Sequence, residues 1–268
     1  QPGLEAQLAN VADEIAYKLG TQTIGHEILS YDELDSTNDV AFKRGEQGAK
    51  EGVCVFAEHQ KKGRGRLGRV WQAPKGKNLL LSYLLTRRLR TWQVSINTLR
   101  AALSVIKEAL KMSGETLGIK WPNDIVFEEK KLCGVLTEMS AEADRVNFVV
   151  VGIGVNVNAT GSELPPGSTS LKEILGREVS RVEFARCLLK EIENDVNQFK
   201  KGRFAELCKE WEEFSATTGR RVVATLLDRK IQGQATGIDK DGALWIRKDN
   251  GLQERIIAGD IQHLRNSS

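Results

Sequence analysis

The stretch HQKKGRGRLGRVWQAPKGKN, residues 59–78, narrows the choice of fold more than any other part of this chain. Gly63-x-Gly65-x-x-Gly68 has the glycine spacing of a dinucleotide-binding turn, and Gly63-x-x-x-x-Gly68 comes close to that of a triphosphate-binding loop. A dinucleotide turn runs straight from strand into helix, and an acidic residue about 20 positions on holds the ribose. Here Arg69-Val70-Trp71-Gln72-Ala73-Pro74 follows without helical periodicity, and residues 83–90 contain no acid. A triphosphate loop needs Lys and then Ser or Thr after its last glycine; this chain has Arg69-Val70. Both readings fail. What remains is a loop whose glycines let backbone amides approach a ligand and whose arginines can fork onto carboxylate or phosphate oxygens.

Charge sharpens that reading. Residues 60–78 carry Lys61, Lys62, Arg64, Arg66, Arg69, Lys75 and Lys77 and no acid, while the whole chain, with 39 basic and 36 acidic residues, is only +3. Outside this +7 loop the chain therefore sums to −4. A surface built for a long polyanion spreads over a face, whereas one basic loop on a slightly acidic body suits a small anionic ligand. A solvated loop or a nucleic-acid patch is the alternative that composition leaves open. The four cysteines, Cys54, Cys133, Cys187 and Cys208, form no C-x-x-C pair, which gives no zinc or redox motif and fits a reducing cytoplasm. There is no run of 18 apolar residues and no charged-then-apolar leader, so nothing points to a membrane span or a secretory signal.

Periodicity orders the rest of the chain. Leu4, Leu8, Val11, Ile15 and Leu19 predict an amphipathic helix over 4–19. EILSYDEL reads as a strand, and STNDVAFKRGEQG as a short helix with Ser36 or Thr37 at its N-cap. VCVFAEH and NLLLSYLLT are strands, and INTLRAALSVIKEALKMSG is an amphipathic helix closed by Gly114. GIKWPNDIVFE, KLCGVLTEMS and VNFVVVGIGVNVN are strand-like runs with short turns; SRVEFARCLLKEIENDVNQFKKG and FAELCKEWEEFS are helices. From Arg220 the texture changes to short β-rich runs, RRVVATLLD, KIQGQATGID, GALWIRK and QERIIAG, the pattern of a small barrel.

Five blocks carry a family resemblance. LDSTN at 34–38, EHQKKGRGRLGRVW at 58–71, KWPND at 120–124, KLCGVLTE at 131–138 and GIGVNVN at 152–158 resemble the biotin protein ligases in order and spacing, and the last β-rich stretch resembles their C-terminal domain. The resemblance implies a class II synthetase-like α/β fold (α+β), with a mixed, largely antiparallel sheet and an SH3-like barrel. It implies an N-terminal helix and linker over 1–29, a catalytic domain over 30–218 and a C-terminal domain over 219–268. It also implies an enzyme that uses ATP and Mg2+ to convert biotin to biotinyl-5'-AMP and passes biotin to a lysine of a biotin carboxyl carrier domain, as a homodimer. A lipoate or octanoate ligase of the same fold, or a nucleic-acid-binding module, are the rival readings.

Roles follow by motif position. The resemblance puts Ser36, Thr37, Asn38 and Gln60 on biotin's ureido ring, Gly63, Arg64, Gly65 and Arg66 along its tail, and Lys131 and Gly134 beside them. It puts Arg66, Arg69, Trp71, Asn123, Asp124, Lys131 and Asn156 on the nucleotide, with Trp71 at the adenine and Asp124 as a magnesium carboxylate; Arg66 and Lys131 are the catalytic pair. From residue type alone, Ser36-Thr37-Asn38 reads equally as a helix cap, Trp71 as a half-buried tryptophan, Pro122-Asn123-Asp124 as a strand turn and Lys130-Lys131 as a hairpin tip. Cys133 reads as a packed strand residue. Leu67 departs from the pattern, since many relatives have a basic residue there.

Many relatives also carry an N-terminal winged helix-turn-helix, for which one amphipathic helix and a short polar stretch are too little sequence. Any DNA affinity of this chain is therefore expected to come from the basic loop alone. In a titrated mobility-shift assay it should be indifferent to sequence and collapse between low and physiological salt. A nanomolar, sequence-selective complex at physiological salt would contradict this.

Overall fold

The computed structural model describes residues 11–86 and 89–265. Seven strands form one mixed sheet: β1 (Glu27–Leu34), β2 (Val53–Gln60), β3 (Leu79–Leu85), β4 (Gly118–Lys120), β5 (Asp124–Phe127), β6 (Lys130–Glu142) and β7 (Arg145–Val155). Their order is β1-β2-β3-β7-β6-β5-β4, in which β1 and β2 are parallel and every other pair is antiparallel. The parallel pair needs a crossover, which α1 (Thr37–Glu46) supplies.

Strand β7 shows how the sheet makes room for a site. Its side chains alternate between faces, as in any strand. Val149, Val151, Ile153 and Val155 join the main core, which lies under the long helices α2 (Val94–Ser113) and α4 (Arg181–Lys200), with α3 (Leu171–Leu175) and α5 (Phe204–Phe214) completing that layer. On the opposite face Phe148 and Val150 pack with Ala41 of α1, Val53, Val55 and Leu84 in a second, smaller core. Continuing along that face, the next two positions are Gly152 and Gly154. The strand is therefore apolar beneath α1 and bare beyond its N-terminus.

Helix α2 ends where the sequence predicts, at Gly114, whose φ of 65° is the left-handed cap conformation. The run expected as a single strand, GIKWPNDIVFE, is divided into β4 and β5, with Trp121-Pro122-Asn123 turning between them. Proline has no N–H for the ladder, so the strand cannot continue through it. The helix expected over 4–19 is described from residue 11 onward, where residues 11–16 are helical and Lys18 has φ 51°; its first part lies outside the described residues.

The C-terminal runs form a separate antiparallel sheet of β8 (Arg221–Thr225), β9 (Lys230–Ile238), β10 (Leu244–Lys248), β11 (Gln253–Ile256) and β12 (Asp260–His263), in the order β11-β10-β9-β8-β12. The expected barrel is thus not closed by hydrogen bonds, because the two edge strands do not pair. The sheet is nonetheless strongly curled. Four strand spacings in a flat sheet would separate the edges by about 19 Å, whereas β11 and β12 are joined only by Ile257, Ala258 and Gly259, a link that reaches at most about 14 Å. Strand β12, short and partly polar, has no counterpart among the runs expected from sequence.

Phe148 anchors the helix that carries the Ser-Thr-Asn triplet. Its ring meets Phe42 of α1 edge-on at 4.9 Å between centroids, and Gly45 has no room for a Cβ against it. Phe148→Ala should therefore cost about 3–5 kcal/mol of stability in denaturant titration; a loss below 1 kcal/mol would show that α1 is held some other way.

Candidate functional site

A cleft opens over Gly152 and Gly154 at the N-terminus of α1. Ser36, Thr37, Asn38, Gln60, Arg64, Gly65, Arg66, Arg69, Trp71, Asn123, Asp124, Lys131 and Gly134 all line it. Two expected residues do not. Gly63 sits behind the wall, where a Cβ would come 2.5 Å from the Trp71 carbonyl oxygen. Asn156 is buried outside the cleft, where it accepts a bond from Asn78 Nδ2 (3.0 Å) and takes the Leu132 carbonyl with its amide (2.9 Å), fastening the end of β7.

One end of the cleft is neutral and polar. Ser36 occupies the N-cap of α1 but its hydroxyl makes no capping bond, so the helix-cap reading does not account for it. Thr37 donates its amide (2.8 Å) and its hydroxyl (3.1 Å) to Gln60 Oε1, which leaves the Gln60 amide nitrogen to face outward as a donor. Asn38 Nδ2 donates to Glu138 Oε1 at 2.8 Å, and the Ser82 hydroxyl lies within bonding distance of both Thr37 Oγ1 and Asn38 Oδ1. Gly152 is required here, because a Cβ would collide with the Asn38 amide. Buried polar groups need partners, and this network supplies them while holding the triplet rigid.

The middle of the cleft has a flat floor. Gly134 of β6 and Gly154 of β7 are direct cross-strand partners, and the Trp71 indole lies upon both: a Cβ on Gly154 would come 2.7 Å from Trp71 Cε2, and one on Gly134 3.2 Å from Cζ3. The Lys131 ammonium stands 5.4 Å from the indole centroid, a cation–π contact, and 3.2 Å from Asp124 Oδ1.

The other end is charged. Arg66 donates Nη1 to Asn123 Oδ1 (3.0 Å) and Nη2 to the Gly259 carbonyl, so the basic loop is clasped between the turn before β5 and the C-terminal sheet. Arg69 pairs with Asp260. Arg64 lies back at the Asn38 end, where it bonds Asp39 (2.7 Å) and, at 2.9 Å, the Glu138 oxygen that also takes Asn38 Nδ2, and the Asp39 bond, ahead of other causes, raises its pKa further. Arg66 goes the other way. Burial pushes its pKa down, and Asp124 and Asp260 only partly offset this. A guanidinium held in that state stays charged and gains most from an incoming anion. Leu67, where relatives have a basic residue, is exposed and has φ 56°. Among the described residues no three His, Cys, Asp or Glu side chains converge as a metal set; of the two carboxylates at this end, Asp260 is taken by Arg69 and Asp124 lies beside Lys131. Cys133 is buried and its thiol pKa is raised by burial, which fits packing and not nucleophilic chemistry.

Ser82, Glu138 and Asp260 serve the site without having been singled out from sequence. Ser82 carried a signal, as a small polar side chain standing among the leucines of a fully buried strand. Asp260 carried none, since 191 residues separate it from Arg69.

Residues 31–156 match the model of the biotin/lipoate A/B protein ligase family, and residues 217–264 match that of the biotin protein ligase C-terminal domain. Among curated relatives, the chain is 33% identical to the bifunctional ligase/repressor BirA of Bacillus subtilis over 93% of this chain and 78% of that protein. It is 32% identical to the biotin–[acetyl-CoA-carboxylase] ligase of Mycobacterium tuberculosis over 86% of each. A solved structure of the Aquifex aeolicus biotin protein ligase, in complex with biotin and ATP, superposes with a TM-score of 0.76 at 31% identity, covering 90% of this chain and 100% of that one.

The glycine floor can be tested without any ligand. Gly154→Ala should displace the indole and shift the Trp71 contribution to fluorescence, taken as the difference from the same variant carrying Trp71→Phe. Gly134→Ala, with its contact 0.5 Å longer (3.2 against 2.7 Å), should do so less. Equal spectra for all three glycine states would remove the floor from the argument.

Proposed function

This chain belongs to the biotin/lipoate A/B protein ligase family, and from that premise we propose how its residues divide the work of a biotin ligase. The enzyme joins biotin's carboxylate to the α-phosphorus of ATP, releasing pyrophosphate, and then passes biotin from biotinyl-5'-AMP to a lysine of a biotin carboxyl carrier domain, releasing AMP. The match of the C-terminal sheet to the biotin-specific domain favours biotin over the lipoate alternative.

The carrying observation is that one cleft has a hydrogen-bonding end at Thr37, Asn38 and Gln60, where Arg64 is paired with Asp39 and Glu138, and a cationic end at Arg66 and Lys131. Neutral donors and acceptors suit a neutral urea, so Ser36, Thr37, Asn38 and Gln60 take biotin's ring, and the Gly63–Arg66 backbone, with Arg64 and Gly134, follows its tail. Carboxylate and triphosphate repel each other. Arg66 and Lys131, converging from the loop and from β6, offset that repulsion and stabilise charge on phosphorus during in-line attack. Arg69 draws on the phosphates, and Trp71 offers its exposed face to adenine. Asn156 contributes by holding β7 in place.

A magnesium ion fits the charged end as one carboxylate, Asp124, together with the phosphates of the nucleotide, and it would add neutralising charge there. Asp124 also holds the Lys131 ammonium at 3.2 Å, which keeps that lysine directed into the cleft.

The finer organisation belongs to the same proposal. We divide the chain into a catalytic domain over 30–218 and a C-terminal domain over 219–268, joined by the loop's grip on Gly259 and Asp260. A homodimer is consistent with β1, which ends the large sheet with an unpaired edge among the described residues. Operator recognition is not part of the reading, which assigns the basic loop to a small anionic substrate. No helix among the described residues is long and apolar enough to cross a membrane, and all four cysteines are free, which supports a cytoplasmic setting.

Lys131→Ala and Arg66→Ala should each slow adenylate formation about 10²- to 10³-fold, the usual consequence of losing one transition-state donor. Arg66→Ala should also release adenylate into solution, because the loop loses its hold on the turn and on the C-terminal sheet. Pyrophosphate release at the wild-type rate in both variants would refute the assignment.

A further inference from the structure

The turn that carries Asn123 and Asp124 is held from behind, by groups outside the cleft. Its first residue, Trp121, is 2% exposed and donates its backbone N–H to Thr217 Oγ1 at 3.0 Å, while its indole N–H donates to the Gly242 carbonyl at 3.0 Å. Thr217 is wholly buried, and its hydroxyl also lies 3.0 Å from His263 Nε2. On its far side, His263 Nδ1 is 3.1 Å from Glu129 Oε2, and Arg220 donates to the other oxygen of that carboxylate at 2.9 Å.

Donor counting fixes the direction of this chain. The Glu129 carboxylate can only accept, so the proton between it and the ring sits on His263 Nδ1. In a neutral ring Nε2 then accepts, and the Thr217 hydroxyl, which takes the Trp121 amide with a lone pair, donates to it. Burial lowers the His263 pKa, with Lys120 and Arg220 acting in the same direction against Glu129, and this agrees with a neutral ring. Glu129, Arg220, His263 and Thr217 thus form one directed relay that ends on the backbone of the turn.

We infer that Thr217, oriented by His263 and Glu129, is a positioning residue for adenylate formation: it sets the Trp121–Asp124 turn and, through Asn123 and Asp124, the places of Arg66 and Lys131. The inference rests on the roles proposed above for those two residues. The relay joins the C-terminal sheet to the catalytic sheet at the point where both reach the charged end of the cleft, while the neutral end at Thr37 and Gln60 has no bond to the turn.

The test separates turn from pocket. In single-turnover pyrophosphate release with full-length protein, Thr217→Val should lower the rate roughly tenfold, short of the 10²-fold that an ångström of misplacement brings. Its biotin Kd should stay within about twofold, and Thr217→Ser, which keeps the hydroxyl, should recover most of the rate. Glu129→Gln, at a half-exposed residue that does not endanger folding, should give a smaller loss in the same direction. Rates are normalised to folded protein, so a purely structural role would lower Tm and leave them unchanged. Wild-type rates in Thr217→Val and Glu129→Gln, a Thr217→Ser as slow as Thr217→Val, or a parallel loss of biotin affinity would each overturn the inference. Lys131→Ala and Asp124→Ala run alongside: if they retain full rate, the assignment of the cleft has failed, and if only the Thr217 variants do, the relay has.

Discussion

The site depends on where side chains stop. A β-sheet face is stable only when covered, and here Phe148 and Val150 are covered by α1 while Gly152 and Gly154, next on the same face, present bare backbone. With Gly134 opposite Gly154, the two strands offer a surface on which a planar indole rests without a Cβ in the way. The basic loop can fold down over the sheet because Trp71 has that place to lie. Its backbone is then stapled across itself, Trp71 N–H to Gly63 carbonyl at 2.9 Å and Gly65 N–H to Arg69 carbonyl at 2.7 Å.

Charge is arranged on top of this geometry. Seven like charges in one loop repel, and the fold answers nearly every one with a partner: Asp35 near Lys61 and Lys62, Asp39 and Glu138 on Arg64, Asp260 on Arg69, Asp32 on Lys75. Most of these pairs are exposed and individually weak. Arg66 is different, being more buried and bonded to a neutral amide and a carbonyl, Asn123 and Gly259, instead of a carboxylate. It is the group with most to gain from an anionic substrate, and it touches the loop, the turn and the C-terminal sheet at once. Binding and domain contact are thereby coupled through one side chain.

The C-terminal sheet accordingly acts as part of the site. Gly259 and Asp260 reach the loop, Gly242 and Thr217 reach Trp121, and Ala216 pairs its amide with Ile119 at the edge of β4. Trp121 makes two of these contacts, with Thr217 and Gly242. In sequence it belongs to the five-residue block that also holds Asn123 and Asp124; in space its indole is wedged between the two sheets.

The sequence by itself determined what local rules govern. Short strand-like runs bounded by turn residues marked β1, β2, β3, β6 and β7, helical spacing and Gly114 marked α2, and five ordered blocks marked most of the residues that meet in the cleft. Gly63-x-Gly65-x-x-Gly68 fails as a dinucleotide-binding turn for a reason visible in the chain, the missing helix after it. Tertiary structure alone decided which of those residues face the cleft and what holds them. Asn156, marked by its motif, lies buried outside the cleft and bonds the end of β7, while Asp260 and Ser82 stand at or beside the cleft, and Thr217 and His263 behind it, with little or no motif to mark them. The physical reason is range. Periodicity and turn chemistry act over a few residues, whereas the bonds that complete this site join Arg66 to Gly259 and Arg69 to Asp260 across 193 and 191 positions, and only the folded sheets bring such partners within reach.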